Sequence, residues 1–217
     1  MKNDYKRQNG IINVNDFGDN TISIFGCGAI GSYVATSLAK MGLKSFVLWD
    51  DDIVETHNLP NQYFTYNDLG KPKVEATMNH MMEFNNEAKI LKCSIKFTEK
   101  NDEINTPIVV CCVDKMEARK LIFEKCGKDV QIFIDTRMGG LQGQVYTVDM
   151  TDNESKEQYK KTLFSSKEAV QMRCSERSII FTVLGISSLV CNQIVKAFKD
   201  QEIINYIVLD YSVPQMM

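Results

Sequence analysis

Residues 21–52, TISIFGCGAIGSYVATSLAKMGLKSFVLWDDD, decide the fold of this 217-residue chain. An apolar run turns through Gly26, Gly28 and Gly31 into a segment whose apolar residues recur at helical spacing. A second apolar run follows and ends in the acids Asp50 and Asp52. The order of strand, glycine turn, helix, strand and acid is typical of a nucleotide-binding βαβ unit.

Each part of this unit has an expected role. Gly26 allows the tight turn, Gly28 lets the backbone approach a phosphate, and Gly31 lets the helix pack close to the strand. The N-terminus of that helix offers free N–H groups to an anion. Asp50 lies 19 positions after Gly31, where an acid bonds a ribose hydroxyl, and Asp52 joins it as a candidate nucleotide-binding residue. The pattern favours nucleotide binding over a plain packing turn, but it does not distinguish NAD, FAD, S-adenosylmethionine and ATP.

Bulk composition is that of an ordinary soluble globular chain, with 44% hydrophobic and 24% charged residues. The net charge of -3 argues against a broad nucleic-acid footprint, so nucleic acid is an unlikely partner. We find no apolar run near the ~20 residues that span a bilayer and no signal-peptide core in the polar N-terminus. These features predict a cytoplasmic protein with no membrane partner.

Seven cysteines are present without a CxxC pair, and only two histidines occur. We therefore predict that most of the cysteines are reduced thiols in the core, and we expect no zinc site. One of the histidines, His57, follows a strand end and is expected in a surface loop.

The rest of the chain favours one α/β domain over residues 1–217. Continuous apolar runs at 108–113 and 130–134 are typical of buried parallel strands. We predict a Rossmann-like, doubly wound, mainly parallel sheet with helices on both faces and a short antiparallel extension. Residues 1–20 are expected to form an N-terminal arm, and residues 151–173 a polar excursion outside the core.

Two polar residues near these elements have open alternatives. Lys73 enters a predicted helix and either reaches a phosphate or lies on a solvated face. Asp114 follows an apolar strand and is a Mg²⁺ ligand, a helix N-cap, or both.

The ordered set of motifs along the chain is more specific to one protein family than the glycine pattern alone. After GxGxxG come Asp-x-Asp-x-Val from Asp50, Asn-Leu-x-x-Gln from Asn58 to Gln62, Gly-x-x-Lys ending at Lys73, and Asp114 at a strand tip. Over about residues 5–150 this set resembles the ubiquitin-activating-enzyme superfamily, in its bacterial ThiF/MoeB/HesA form.

The resemblance implies an enzyme that uses ATP and Mg²⁺ to adenylate the C-terminal carboxylate of a ubiquitin-like or sulfur-carrier protein ending in glycine. Pyrophosphate is released, and a thiol often takes the acyl group next. A small carboxylate, a peptide terminus or a modified tRNA base are alternative substrates, and the low positive charge disfavours tRNA. The implied roles are the nucleotide turn for Gly26, Gly28 and Gly31, the ribose for Asp50, the phosphates for Asn58, Gln62 and Lys73, and Mg²⁺ for Asp114.

The N-terminal residues Tyr5-Lys6-Arg7-Gln8 look like the family's Tyr-x-Arg-Gln opening. In the family this arginine reaches the neighbouring subunit's ATP site. The resemblance therefore implies that Arg7 acts in trans, in a homodimer or in a pair with a related chain.

The sequence departs from the family where Asn61 replaces an arginine that normally contacts phosphate. Losing such a cation removes several kcal/mol of transition-state stabilisation, on the order seen for bidentate charged contacts. Either another cation compensates, or activity is weak or lost. Arg137 is a candidate substitute at a strand end, and its alternative is a structural ion pair with Asp135 or another acid. Many relatives also carry zinc-binding CxxC pairs, which are missing here.

Cys174 is the best candidate for a catalytic thiol, because Arg173, Arg177 and a following helix would lower its pKa. The alternative is a packing role, since some relatives only adenylate. Two other functions compete with adenylation. One is a nucleotide-binding interaction protein that no longer catalyses, which Asn61 favours, and the other is an NAD-dependent oxidoreductase, for which we find no separate substrate domain.

Overall fold

The computed structural model describes residues 3–165 and 178–213 of the chain. Within them the strands are β1 (Thr21–Phe25), β2 (Ser45–Trp49), β3 (Lys89–Cys93), β4 (Ile108–Cys111), β5 (Ile132–Gly139), β6 (Gln142–Asp149) and β7 (Tyr206–Asp210). They form one sheet in the order β3-β2-β1-β4-β5-β6-β7.

The first five strands run parallel, and β6 and β7 extend the sheet in antiparallel fashion. From β1 the chain winds outward through β2 to β3, then crosses back to place β4 on the other side of β1. The strand order therefore reverses between β1 and β4, and such a reversal opens a crevice at the carboxyl ends of the strands.

The helices are α1 (Ala29–Met41), α2 (Lys73–Phe84), α3 (Met116–Glu124), α4 (Asn153–Lys160) and α5 (Ile180–Phe198). One buried apolar cluster takes its helical members from α1, α2 and α5, and a second takes them from α3 and α4. Strand β4 serves both clusters, with Ile108 and Val110 in the first and Val109 and Cys111 in the second. Because successive side chains point to opposite faces, the helices cover both sides of the sheet, which confirms the predicted doubly wound fold.

The prediction that residues 151–173 form a polar excursion outside the core was wrong for residues 151–165, which are the part that the structure describes. Residues Asn153–Lys160 form α4, which begins where the Asp152 carboxylate accepts hydrogen bonds from the N–H groups of Glu154 and Ser155. Tyr159 is buried in the second cluster, with ring contacts to Phe123 and Phe133. A single aromatic residue thus anchors a helix whose other residues are mostly polar. The polar composition of the segment does not reveal this anchor. Residues 166–173 lie outside the described part.

The N-terminal arm also contributes to the core. Its residues Ile12 and Phe17 are buried in the first cluster, and the Phe17 ring packs edge-on against Phe198 of α5 at 5.1 Å. The arm is therefore fixed to the domain by apolar contacts near the C-terminal end of α5.

Helix α5 is 19 residues long and, among the described residues, is the one helix apolar enough to cross a membrane by length and composition. The expectation that no apolar segment approaches that length was therefore wrong. Its Val183, Ile186, Val190 and Ile194 are fully buried inside the domain, and three of them belong to the first cluster. Core helices of globular proteins pass the same test.

Candidate functional site

Three candidate segments meet at the edge where the strand order reverses. The glycine turn follows β1, Asp50 follows β2, and Asp114 lies three residues beyond the end of β4. The carboxyl ends of parallel strands share one edge, so these segments surround one crevice.

Two of the glycines are required by packing. Gly26 has φ of +90°, and a Cβ there would lie 2.8 Å from the Cys112 carbonyl oxygen. A Cβ on Gly31 would lie 1.8 Å from the Gly26 carbonyl oxygen, so only glycine lets α1 start this close to β1. Gly28 differs, since a Cβ added there would meet only Gln62 Nε2, at 4.0 Å. The space in front of Gly28, at the N-terminus of α1, is open.

Asp50 braces this turn. Its Oδ2 accepts the Cys27 N–H at 2.7 Å, and its Oδ1 accepts the Asp52 N–H at 2.9 Å. Burial raises the pKa of Asp50, and these hydrogen bonds with the nearby Lys73 charge oppose that rise. A carboxylate has about four acceptor positions, so Asp50 can hold the turn and still accept a ribose hydroxyl.

Lys73 lies in the first turn of α2 and is 7% exposed. Its Nζ is 2.7 Å from Asp52 Oδ2, and its backbone N–H donates to the Asp52 carbonyl at 2.9 Å. Both residues line a cavity of about 140 Å³ together with Glu55, His57 and Asn58. Lys73 therefore faces a polar recess at the end of β2 and does not lie on a solvated face. His57 is exposed and 3.1 Å from Glu55, as expected for a surface loop.

The loop from Asn58 to Gln62 closes the crevice beside the glycine turn. Asn58 is buried, and its Oδ1 accepts the Glu55 N–H at 2.8 Å. Asn61 donates through Nδ2 to Ser178 Oγ, two residues before α5. Asn61 Oδ1 and Gln62 Oε1 are buried and have no hydrogen-bond partner in the structure. Buried acceptors are normally satisfied, so both are open to a donor from a bound molecule.

Asp114 is exposed, and α3 begins at Met116 with Lys115 as its N-cap. The helix-cap alternative for Asp114 is therefore not what the structure has. In the described part of the chain, three acids whose carboxylate oxygens lie within 4.8 Å of one another are Asp50, Asp51 and Asp52. Asp114 is not part of this group and lies in the segment that follows β4.

Sequence reasoning did not identify Arg119 as a residue near the site. Arg119 is 3% exposed and bonds the Val113 carbonyl oxygen and the Asp135 carboxylate. It thus touches the residue before Asp114. No local signal marks it, because its partner Asp135 lies 16 positions away on another strand.

Arg137 is engaged in a structural network. Its Nε is 2.9 Å from Asp135 Oδ2, and its terminal nitrogens donate to Thr162 O at 3.0 Å and Thr162 Oγ1 at 2.8 Å. The guanidinium also lies over the Tyr146 ring at 4.4 Å. This is the ion pair that the sequence offered as the alternative, and a phosphate contact by Arg137 stays a prediction.

Arg7 is exposed in the N-terminal arm, and its neighbour Gln8 donates to the Met41 carbonyl at 2.6 Å. Met41 ends α1, whereas the glycine turn precedes it. A helix of 13 residues is about 20 Å long, so the arm lies far from its own chain's glycine turn.

Six cysteines in the described residues are free thiols. Burial raises the pKa of Cys112, Cys126 and Cys191 to about 12, and it raises the pKa of Cys27 well above its ordinary value. These thiols stay protonated near neutral pH and fit packing roles. Cys174, with Arg173 and Arg177, lies outside the described residues.

A family model described as the ThiF family matches residues 10–216. The chain is similar to ubiquitin-like modifier-activating enzyme 5 of Caenorhabditis briggsae, with 27% identity over 132 residues, 54% of this chain and 31% of the relative. The Aedes aegypti protein of the same name is 32% identical over 123 residues, 50% of this chain and 31% of the relative. The matches therefore span about a third of these curated relatives.

Solved structures give the same architecture. Escherichia coli MccB superposes with a TM-score of 0.78 and 18% identity, covering 99% of this chain and 68% of MccB. The MccB structure with ATP superposes with a TM-score of 0.77 at 18% identity, covering 99% of this chain and 70% of MccB. At this identity the likeness shows the fold.

Proposed function

The chain belongs to the ThiF family, and from that premise we propose that it is an ATP-dependent adenylyltransferase acting on a carboxylate. The proposed substrate is the C-terminal carboxylate of a ubiquitin-like or sulfur-carrier protein that ends in glycine. The curated relatives, named as ubiquitin-like modifier-activating enzymes, support this class of substrate.

The observation that carries the proposal is the open space in front of Gly28. At Gly26 and Gly31 the space that a Cβ would need is occupied by backbone atoms. A Cβ on Gly28 would meet nothing closer than Gln62 Nε2 at 4.0 Å. That space faces the first turn of α1, whose N–H groups are free to bind an anion. Gln62 Nε2, the atom nearest this space, is a donor that can bond a phosphate oxygen.

The residues present fit ATP and Mg²⁺. Asp50 would accept the ribose hydroxyl, with Asp52 supporting Lys73. Asn58, Asn61, Gln62 and Lys73 would surround the phosphates, and Asp114 would hold Mg²⁺. Magnesium is usually bound by one or two carboxylates plus phosphate oxygens and waters, so a lone exposed aspartate suits it. When bound, the ion would neutralise charge on the phosphates.

The reaction needs positioning and positive charge rather than a base. A carboxylate oxygen of the substrate attacks the α-phosphorus, a C–O–P linkage forms, and the bond from the α-phosphorus to the bridging oxygen breaks. Pyrophosphate leaves with that electron pair. The carboxylate is already the nucleophile, and Lys73 and Arg7 would offset the charge that gathers on the phosphates.

A second step would use Cys174. Its thiolate would attack the acyl carbon of the adenylate, form a thioester and release AMP. The thiol proton passes to solvent. Arg173 and Arg177 are the neighbouring cations that would favour the thiolate.

The arm supports action of Arg7 in trans. It is bonded to the end of α1 that lies about 20 Å from the glycine turn of the same chain. In a homodimer, Arg7 would complete the partner's nucleotide site.

One observation favours a second candidate function, a nucleotide-binding interaction subunit with weakened catalysis. Asn61 takes the place of a phosphate-binding arginine and donates to Ser178, and Arg137 is bonded to Asp135 and Thr162. This candidate predicts ATP binding without formation of an acyl adenylate when carrier proteins are supplied.

Calorimetric titration of Mg²⁺·ATP and of NAD tests the nucleotide site directly. Gly28→Ala should fold, because its Cβ has space, and it should weaken ATP binding at least tenfold because the Cβ occupies the phosphate's approach. The matched control is Gly10→Ala, where an added Cβ meets nothing within 4 Å.

Clear ATP binding that Gly28→Ala weakens and Gly10→Ala preserves would support the proposal. NAD binding to the wild type, or ATP binding unaffected by Gly28→Ala, would contradict the assignment of this crevice. A wild type that binds neither nucleotide would contradict both candidate functions for the isolated chain.

A further inference from the structure

We propose that Arg119 is a positioning residue that fixes the peptide carrying Asp114 and thereby sets the affinity of the site for Mg²⁺. The inference rests on the proposed function, because it takes Asp114 as the magnesium ligand. Arg119 itself touches neither the metal nor the nucleotide in this assignment.

The chain leaves the sheet just before Asp114. Strand β4 ends at Cys111, and the next N–H, that of Cys112, still donates to the Phe25 carbonyl at 2.7 Å. Val113 is bonded by Arg119, whose Nη2 donates to the Val113 carbonyl oxygen at 2.5 Å. This bond fixes the peptide that connects Val113 to Asp114.

The same guanidinium is anchored on the next strand. Its Nη1 donates to the Asp135 carboxylate and, at 3.3 Å, to the Thr136 carbonyl oxygen. Asp135 has no exposed surface, and its second oxygen is held by Arg137 Nε at 2.9 Å. Arg119 therefore bridges the rigid strand β5 and the segment that follows β4.

The planar shape of arginine makes this bridge. A guanidinium presents its donors in a fixed fork and can reach two acceptors at once, whereas a lysine ammonium is a single point on a flexible stem. Arg119→Lys keeps the charge beside Asp135 but gives up the simultaneous hold on Val113. Partners that orient a metal ligand commonly change metal affinity by about 10- to 100-fold when they are lost.

The first measurement is the Mg²⁺ dependence of binding of a non-hydrolysable ATP analogue, by calorimetry at increasing Mg²⁺. Arg119→Lys should raise the Mg²⁺ concentration at half-saturation about tenfold and leave metal-free binding of the analogue near the wild-type value. In the metal-free protein, amide hydrogen exchange over residues 113–115 should become faster. The second measurement reports on the peptide itself and needs no bound metal.

Ile122→Ala is the matched control on the same helix. Ile122 is buried in the second cluster, against which Val113 also packs, so its truncation loosens α3 but removes neither partner of the bond from Arg119 to the Val113 carbonyl oxygen. It should lower the melting temperature but leave the Mg²⁺ half-saturation within twofold of the wild type. If Arg119→Lys does not fold, the double variant Arg119→Met, Asp135→Asn removes both charges together and should show the same two shifts.

Unchanged Mg²⁺ dependence and unchanged exchange in a folded Arg119 variant would overturn the inference and leave the proposed function standing. An equal shift in Ile122→Ala would overturn it too, because general loosening of α3 would then suffice. A wild type whose nucleotide binding is independent of Mg²⁺ would overturn both the inference and the metal assignment.

Discussion

The Nζ atom of Lys73 lies 2.7 Å from Asp52 Oδ2, so the lysine that enters α2 is bonded to the acid that follows β2. The lysine is buried, but the Asp52 side chain is 66% exposed. Water can therefore solvate Asp52 if its partner is removed, and the ion pair adds little to stability. The structure points instead to a cation held in place beside a polar recess.

Lys73→Met should weaken Mg²⁺·ATP binding about 10- to 100-fold, because a hydrogen bond to a charged group is worth about 1.5–3 kcal/mol. The methionine keeps the apolar stem, so the free energy of unfolding should change little. The control is Lys71→Met, which removes a more exposed lysine paired with Asp68 at 3.4 Å. Equal ATP affinity in wild type and Lys73→Met would remove Lys73 from the site.

Asp114→Asn should abolish the Mg²⁺ dependence of ATP binding, because the carboxylate is the proposed metal ligand. Asp114 is exposed, so urea unfolding should shift by no more than about 0.5 kcal/mol. Asp102→Asn, at another exposed acid, is the matched control. Retained Mg²⁺ dependence in Asp114→Asn would move the metal ligand elsewhere.

Mixing Arg7→Ala with Asp114→Ala chains tests whether Arg7 acts in trans. In a mixed dimer one site would combine Asp114 of the first chain with Arg7 of the second, and the other site would lack both. Random mixing should therefore restore tight ATP sites to about a quarter of the protomers, as counted by calorimetric stoichiometry. Each variant alone should show none, and an unrestored mixture would count against the trans arrangement.

Asp68 should make stability depend on pH in a defined window. Burial raises its pKa, but hydrogen bonds from Thr65 and His80 outweigh that effect and lower the pKa to about 2 from 3.8. Because the folded pKa is the lower one, the stabilisation is complete above pH ~4 and is lost as the pH falls towards 2. Asp68→Asn should therefore cost about 2 kcal/mol of unfolding free energy at pH 7, from 1.36 kcal/mol per pKa unit.

Urea unfolding of wild type and Asp68→Asn at pH 7, 5, 4 and 3 measures this penalty. It should still be present at pH 5 and shrink below pH 4. A penalty that stays the same at pH 3 would show that Asp68 stabilises the fold by packing rather than as a carboxylate.

The elements that could be predicted are those whose signal is local. The glycine turn and its two flanking strands follow from residue spacing, because close backbone approach and buried parallel strands restrict the residue types. Helix α4 was missed because one aromatic, Tyr159, supplies its burial while its other residues are mostly polar. The Arg119–Asp135 pair was missed because sequence order does not show which side chains of α3 and β5 meet.

Thiol labelling at pH 7 tests the proposed role of Cys174. Burial raises the pKa of Cys27, Cys112, Cys126 and Cys191, so these thiols stay protonated and should react slowly with iodoacetamide in the folded protein. A cysteine beside two arginines should react faster, and Cys174→Ser should remove that fast phase. Cys93→Ser is the control, because Cys93 is only partly buried and burial still raises its pKa. A fast phase that survives Cys174→Ser and disappears in Cys93→Ser would place the reactive thiol at the end of β3, and the proposed thioester step would lose its nucleophile.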